Sequence, residues 1–264
     1  MIAAPLNHFN QVRERTESGN NSKKEPAMKI LHVSCSPRGQ AAESYKLSQK
    51  IIGFLQKREP AAILVNRAIG GGAISHIDEN YAISQRLSAD ISHEGSMACS
   101  DELIQELESA DIVVIGTPMH NLAVPAALKA WIDLVVRARR TFNVTPAGKV
   151  GTLRDRPVFV AISSGGRFSG ERAHQPDFLT PYLKTVLGTI GLHDLTFFSV
   201  QGTSSSPNAV AETKARTDQE MQEFFSSFSS QSAIRIISTP TRAMIPRLSL
   251  GGRVAKTNST VENP

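Results

Sequence analysis

Apolar side chains come in short dense runs along this chain, separated by longer amphipathic stretches, and the alternation is regular from Met28 to Phe228. MKILHVSC (28–35) is almost continuously apolar and predicts a buried strand. The turn-forming SPRGQAAES follows, and then YKLSQKIIGFLQKR (45–58), where Leu47, Ile51, Ile52 and Leu55 recur at helical spacing. The pattern repeats. AAILVNRA (61–68), DIVVIG (111–116), RPVFVAISS (156–164) and LTFFSVQG (195–202) predict four more strands. DELIQELESA (101–110), VPAALKAWIDLVVRA (124–138), FLTPYLKTVLGTIGL (178–192) and VAETKARTDQEMQEFFSSF (210–228) predict four more helices. Strands this apolar, each followed by a helix, predict an α/β fold: a doubly wound, five-stranded parallel sheet with helices on both faces. Right-handed crossovers leave few topologies, and ligands in such sheets bind where the carboxyl ends of the strands meet their loops. The loops after the first, third and fourth strands are therefore the places to search. One connection, residues 66–100, is long for a loop and predicts a lid or a subunit contact.

The flanks differ from this middle. Residues 1–27 are polar and rich in Asn, Ser and Lys, which predicts a disordered extension, with Met28 a candidate functional start. The net charge of +5 raises the question of nucleic acid, but residues 1–27 hold four basic and three acidic residues and 229–264 hold five basic and one acidic, leaving 20 of each for 28–228. The basic character belongs to a Ser-, Thr- and Pro-containing tail without sustained period, read as disordered or loosely docked, with a partner-binding arm as the alternative. No nucleic-acid partner is predicted. No run approaches the roughly 18 to 20 apolar residues of a membrane span, and no signal peptide is visible, so the expected location is cytoplasmic, with no membrane partner. Cys35 and Cys99 form no CxxC or Cys/His spacing, which argues against a disulfide framework and against metal.

Three loops carry candidate chemistry. Ser36-Pro37-Arg38-Gly39-Gln40-Ala41-Ala42-Glu43-Ser44 runs from a strand into a helix, where free backbone N–H groups, the helix dipole and small hydroxyls make a phosphate cradle; simple capping of the helix by Ser44 is the plainer alternative. The loop is neither GxxxxGK[ST] nor GxGxxG, and Gly70-Gly71-Gly72 stands in the wrong place for either. The residue six places after Cys35 is Ala41, so the arginine clamp of a low-molecular-weight tyrosine phosphatase is missing. After the third strand, Thr117-Pro118-Met119-His120-Asn121-Leu122 breaks the apolar run and a helix restarts within a few residues. After the fourth, Ser163-Ser164-Gly165-Gly166 allows close approach of backbone to a flat ligand. One cradle and two peptide loops on one sheet edge suit a flat, electron-accepting cofactor with one phosphate.

HVSCSPRGQAAES, TPMHNLAVPAALKAWIDLVVRARRTF, SSGG and DFLTPYLKTVLGTIG together resemble the FMN-dependent NADH azoreductases, flavodoxin-like reductases of quinones and azo compounds, over about residues 28–228. The resemblance implies that FMN is held by Ser36, by Ala42, Glu43 and Ser44 at the phosphate, by Met119, His120, Asn121 and Leu122 at the flavin ring, and by Ser163, Ser164, Gly165 and Gly166. It implies NADH or NADPH as donor, a quinone or azo compound as acceptor, a ping-pong mechanism and a homodimer. Relative to the family's usual Met-Tyr-Asn-Phe, His120 and Leu122 replace two aromatics, and Glu43 sits beside the expected phosphate, to be turned away or offset by Arg38. His120 is the candidate acid/base group, with substrate stacking or pocket shaping as its other roles; Trp131 and Phe142 are expected to pack. A flavodoxin-like electron carrier is the alternative function. A divergent member that acts as an interaction module through its tail is a third.

Overall fold

The computed structural model describes residues 27–228, apart from 88, 91 and 92. The disorder expected of residues 1–27 and 229–264 therefore falls, but for Ala27, outside the described residues. The predicted strands form β1 (Lys29–Ser34), β2 (Ile63–Ala68), β3 (Ile112–Pro118), β6 (Val158–Ser164) and β7 (Leu195–Gln201), one parallel sheet in the order β2-β1-β3-β6-β7. Chain direction across the sheet reverses between β1 and β3, which opens a crevice at their carboxyl ends.

Alternate residues of each central strand serve opposite faces. Leu31 and Val33, Val113 and Ile115, and Val158, Val160 and Ile162 pack with Leu103, Leu107, Leu128, Trp131, Leu183 and Leu187, from α3 (Ser96–Ser109), α4 (Ala126–Val135) and α5 (Leu179–Thr189). Ile30, Ile112, Val114, Phe159 and Ala161 pack with Leu47, Ile51, Met221 and Phe225, from α1 (Glu43–Arg58) and α6 (Pro207–Ser227). On α6 the buried residues Thr213, Thr217, Met221 and Phe225 recur every fourth place, one stripe against the sheet. Phe54, Phe159, Phe198, Phe224, Phe225 and Phe228 form an aromatic cluster beneath it, with Phe54 and Phe225 stacked at 5.0 Å. No described helix is long and apolar enough to cross a membrane.

Several boundaries depart from the sequence pattern. The helix predicted over 124–138 stops at Val135, because Arg137 turns inward: its guanidinium reaches Asp90 at 2.7 Å and Asp101 at 2.9 Å while only 2% of the side chain is exposed. Thr141 Oγ1 closes that turn, accepting from the Arg137 N–H at 3.0 Å and donating to the Val135 carbonyl at 2.6 Å. Segment 66–100 is more structured than a loop. A 3₁₀ turn (Gly70–Gly72) and the short α2 (Glu79–Ser84) lie in it, and α3 begins at Ser96, five residues before the pattern predicts. A hairpin, β4 (Phe142–Thr145) with β5 (Gly148–Gly151), was not predicted at all. Trp131 and Phe142 are buried, as expected of packing residues.

Candidate active site

A cavity of about 400 Å³ lies at the carboxyl edge of the sheet, beside the reversal between β1 and β3. The loop after β1 contributes Ser36, Pro37, Arg38, Ala42 and Glu43; the loop after β3 contributes Pro118, Met119 and His120; the end of β6 contributes Ser163 and Gly165. Thr203 and Ser204, from the connection between β7 and α6 (Pro207–Ser227), and Val210, in the first turn of α6, complete the wall. Those three were missed in the sequence, although the hydroxyl run Thr203-Ser204-Ser205-Ser206 at a strand's carboxyl end was the available signal.

Of the residues predicted for the site, Ser36, Ala42, Glu43, Met119, His120, Ser163 and Gly165 line the cavity, whereas Ser44, Asn121, Leu122, Ser164 and Gly166 do not. Ser44 lies just behind the wall, fully buried, and its Oγ has no hydrogen-bond partner among the described residues. It does not cap the helix: the N-cap of α1 is Ala42, without a side-chain bond. Glu43, Ser44 and Tyr45 thus form the first helical turn, where N–H groups have no acceptor one turn back. The 3₁₀ turn Gly39–Ala41 leads into it, set by Ser36, whose Oγ accepts from the Arg38 N–H at 3.2 Å and whose carbonyl accepts from the Gly39 N–H at 3.1 Å. Gly116 on β3 lets the helix sit close. A β-carbon there would be 3.1 Å from the Ser44 carbonyl oxygen and 2.9 Å from Ser48 Oγ.

The loop after β3 is a two-residue reversal. His120 and Ala123 exchange both backbone hydrogen bonds at 3.0 Å, and the residues between them, Asn121 and Leu122, have φ of 47° and 71°. Positive φ at both central positions is the type I′ arrangement, unusual for leucine and a form of strain that collects at functional sites. The N–H groups of Met119 and His120 are spent on Ser163 and Ala123, whereas those of Asn121 and Leu122 have no acceptor among the described residues. Met119 Sδ lies 3.2 Å from Gln175 Nε2, which also donates to Ser164 Oγ at 3.1 Å. That amide fills the space beside Gly166, where a β-carbon would meet Gln175 Oε1 at 2.1 Å, so Gly166 serves packing behind the wall.

Charges are few. Arg38, Glu43 and His120 are the ionisable groups on the lining. Glu43 is offset by Lys46 and Lys214, at 3.0 and 2.7 Å, and not by Arg38. The Cys35 thiol is fully buried, and desolvation drives it well above the ordinary thiol range, which leaves no nucleophile at the foot of the cradle. No group of three or more His, Cys, Asp or Glu side chains is gathered for a metal ion among the described residues.

The fold has counterparts. A family model of the flavodoxin-like fold matches residues 28–225. The chain is 44% identical over 199 residues to FMN-dependent NADH:quinone oxidoreductase 4 of Pseudomonas fluorescens, spanning 74% of this chain and 96% of that one. It is 42% identical over 193 residues to FMN-dependent NADH:quinone oxidoreductase 5 of Burkholderia lata, spanning 72% and 93%. An azoreductase structure from Bacillus anthracis str. Sterne shares the fold at a TM-score of 0.66 and 23% identity, covering 76% of this chain and all of that one. A second, an FMN-dependent NADH-azoreductase from Bacillus anthracis str. Ames Ancestor in complex with FMN, does so at 0.62 and 22%, covering 75% and 98%. With three quarters of its length accounted for in this way, the chain belongs to the flavodoxin-like family of FMN-dependent NADH:quinone oxidoreductases.

Proposed function

We propose that this chain binds FMN in the cavity at the β1/β3 reversal and is a reductase that uses NADH, or NADPH, to reduce quinones or azo compounds. The observation that carries this reading is the cradle at the start of α1. A fully buried hydroxyl on Ser44 without a partner and a first helical turn of open N–H groups are what a phosphate monoester satisfies. The volume suits a cofactor rather than an ion. FMN, when bound, accepts a hydride from the nicotinamide and passes two electrons to the acceptor.

The chain's own residues bind and orient. The N–H groups of Glu43, Ser44 and Tyr45 and the Ser44 hydroxyl would hold the phosphate. Met119, its backbone fixed to Ser163 and its thioether to Gln175, would support one side of the ring, and the turn at Asn121 and Leu122, behind the lining, would hold His120 in place beside it. His120 is exposed at the mouth, where it would shape the acceptor site. Among the described residues no activated nucleophile adjoins the cavity, so donor and acceptor would share one space in turn, a ping-pong mechanism. The relatives are named as oxidoreductases, which favours an enzyme over an electron carrier.

A homodimer is part of the proposal, with a cytoplasmic location. Ile77, Ile83 and Leu87, all in segment 66–100, keep 39 to 45% of their surface exposed, and Phe178, whose N–H bonds to Leu122, keeps 57%. The test is direct. The purified protein should be yellow or take up FMN in preference to FAD, and initial-rate plots with NADH and a quinone should give parallel lines. A colourless protein that ignores FMN in titration would sink the reading.

A further inference from the structure

A carboxylate stands on the cavity wall where an anion is to be held. Glu43 opens α1, and its side chain is 22% exposed. Its Oε1 accepts from Lys46 Nζ at 3.0 Å, one turn along the same helix, and its Oε2 accepts from Lys214 Nζ at 2.7 Å. Lys214 comes from α6, one turn beyond Val210, itself part of the wall. Burial pushes the Glu43 carboxyl up, but the hydrogen bonds from Lys214 and Lys46 outweigh this and hold it below its ordinary value, so it is ionised at neutral pH. Arg38 lines the same space and makes no ion pair among the described residues. A negative charge at the first position of a helix suits the dipole, yet it competes with any phosphate brought to the same turn.

We propose that Lys214 is a phosphate-recognition residue, placed beside the helix start by its contact with Glu43, and that its charge, together with that of Lys46, makes the site select phosphorylated flavin over riboflavin against the opposing charge of Glu43; this rests on the FMN reading above. The trio carries a net single positive charge. Glu43 holds two long, flexible side chains beside the helix start, which lowers the ordering each would undergo on binding, and it also repels the phosphate. Removing Lys214 leaves the trio neutral with the carboxylate facing the anion. Removing Glu43 leaves two cations. The two substitutions therefore act in opposite directions, and together they restore the original charge. A bridge that merely fastens α1 to α6 would give losses of the same sign from both.

The test is a titration of the full-length protein, stripped of flavin, with FMN and with riboflavin, followed by quenching of flavin fluorescence at low salt. Lys214→Met should weaken FMN binding about tenfold while changing riboflavin binding less than about twofold, as expected for one nearby charge. Glu43→Gln should tighten FMN binding, the double variant should return close to the parent value, and added salt should shrink all three differences. Urea midpoints of the variants separate these effects from misfolding. Equal loss of FMN and riboflavin in Lys214→Met, no loss at all, or weaker FMN binding in Glu43→Gln would overturn the proposal. A parent protein that takes up neither flavin would overturn the FMN reading itself and this proposal with it, whereas normal parental FMN binding with an indifferent Lys214→Met overturns the proposal alone.

Discussion

A β-carbon on Gly70 would stand 2.2 Å from the carbonyl oxygen of Ser36. Gly70 thus has a packing role: at the start of the 3₁₀ turn Gly70–Gly72 its backbone presses on the loop that leads to the cradle, whereas β-carbons at Gly71 and Gly72 would meet nothing within 4 Å. Gly70→Ala must push that loop aside, because the obstructing atom is main chain. The expected result is a loss of about 1–3 kcal/mol of stability, read from urea midpoints, together with weaker FMN binding. An alanine variant as stable as the parent would show that the two loops separate freely.

Ser44→Ala should separate stability from binding. Its hydroxyl is buried and unpartnered in the absence of ligand, so its removal should leave the flavin-free protein unchanged or up to about 1 kcal/mol more stable. FMN affinity should fall about tenfold with the lost hydrogen bond. Ser44→Asp should weaken FMN further by like-charge repulsion. Calorimetric titration checks both, and unchanged affinity in both variants would remove this residue from the cradle.

His120→Tyr restores an aromatic at the cavity mouth, where His120 is exposed and its backbone is closed on Ala123. The substitution should alter the ratio of kcat/KM for quinone against azo acceptors more than it alters FMN affinity. Abolished bleaching of the bound flavin by NADH, with FMN still in place, would instead give His120 a direct part in the first half-reaction.

Acid stability should depend on His32. Desolvation lowers its pKa below 6.5, against a raising hydrogen bond with Asn66, and Ser48 Oγ is 2.8 Å from Nε2. Above about 6.5 folded and unfolded states are both neutral and nothing is lost. Below it the unfolded chain takes a proton that the folded one refuses, so stability falls as pH drops toward the folded value, by at most ~1.4 kcal/mol per pH unit. Chemical denaturation at pH 7.5 and 5.5 should show a smaller drop for His32→Gln than for the parent. Equal drops would mean that His32 accepts a proton without penalty.

The order of the five sheet strands and the five long helices was legible in the sequence because each of these elements advertises its own period. Val113, Val114 and Ile115 announce a strand buried on both faces, and Leu47, Ile51, Ile52 and Leu55 mark a helix with one buried stripe. The loops ending at Ser36, Met119 and Ser163 were legible for the same reason, since a parallel sheet delivers its strand ends to one edge. What tertiary structure alone decided is which side chains meet across that edge. Glu43 is answered by Lys214 because α6 folds back against α1, and nothing local to Glu43 distinguishes that lysine from Arg38, which lies nearer in sequence. Helix α4 ends at Val135 because Asp90 and Asp101, brought in by segment 66–100 and α3, draw Arg137 inward against its local preference to continue the helix. Periodicity is a property of neighbours along the chain, whereas ion pairing and close approach depend on distances that exist only once the sheet has formed.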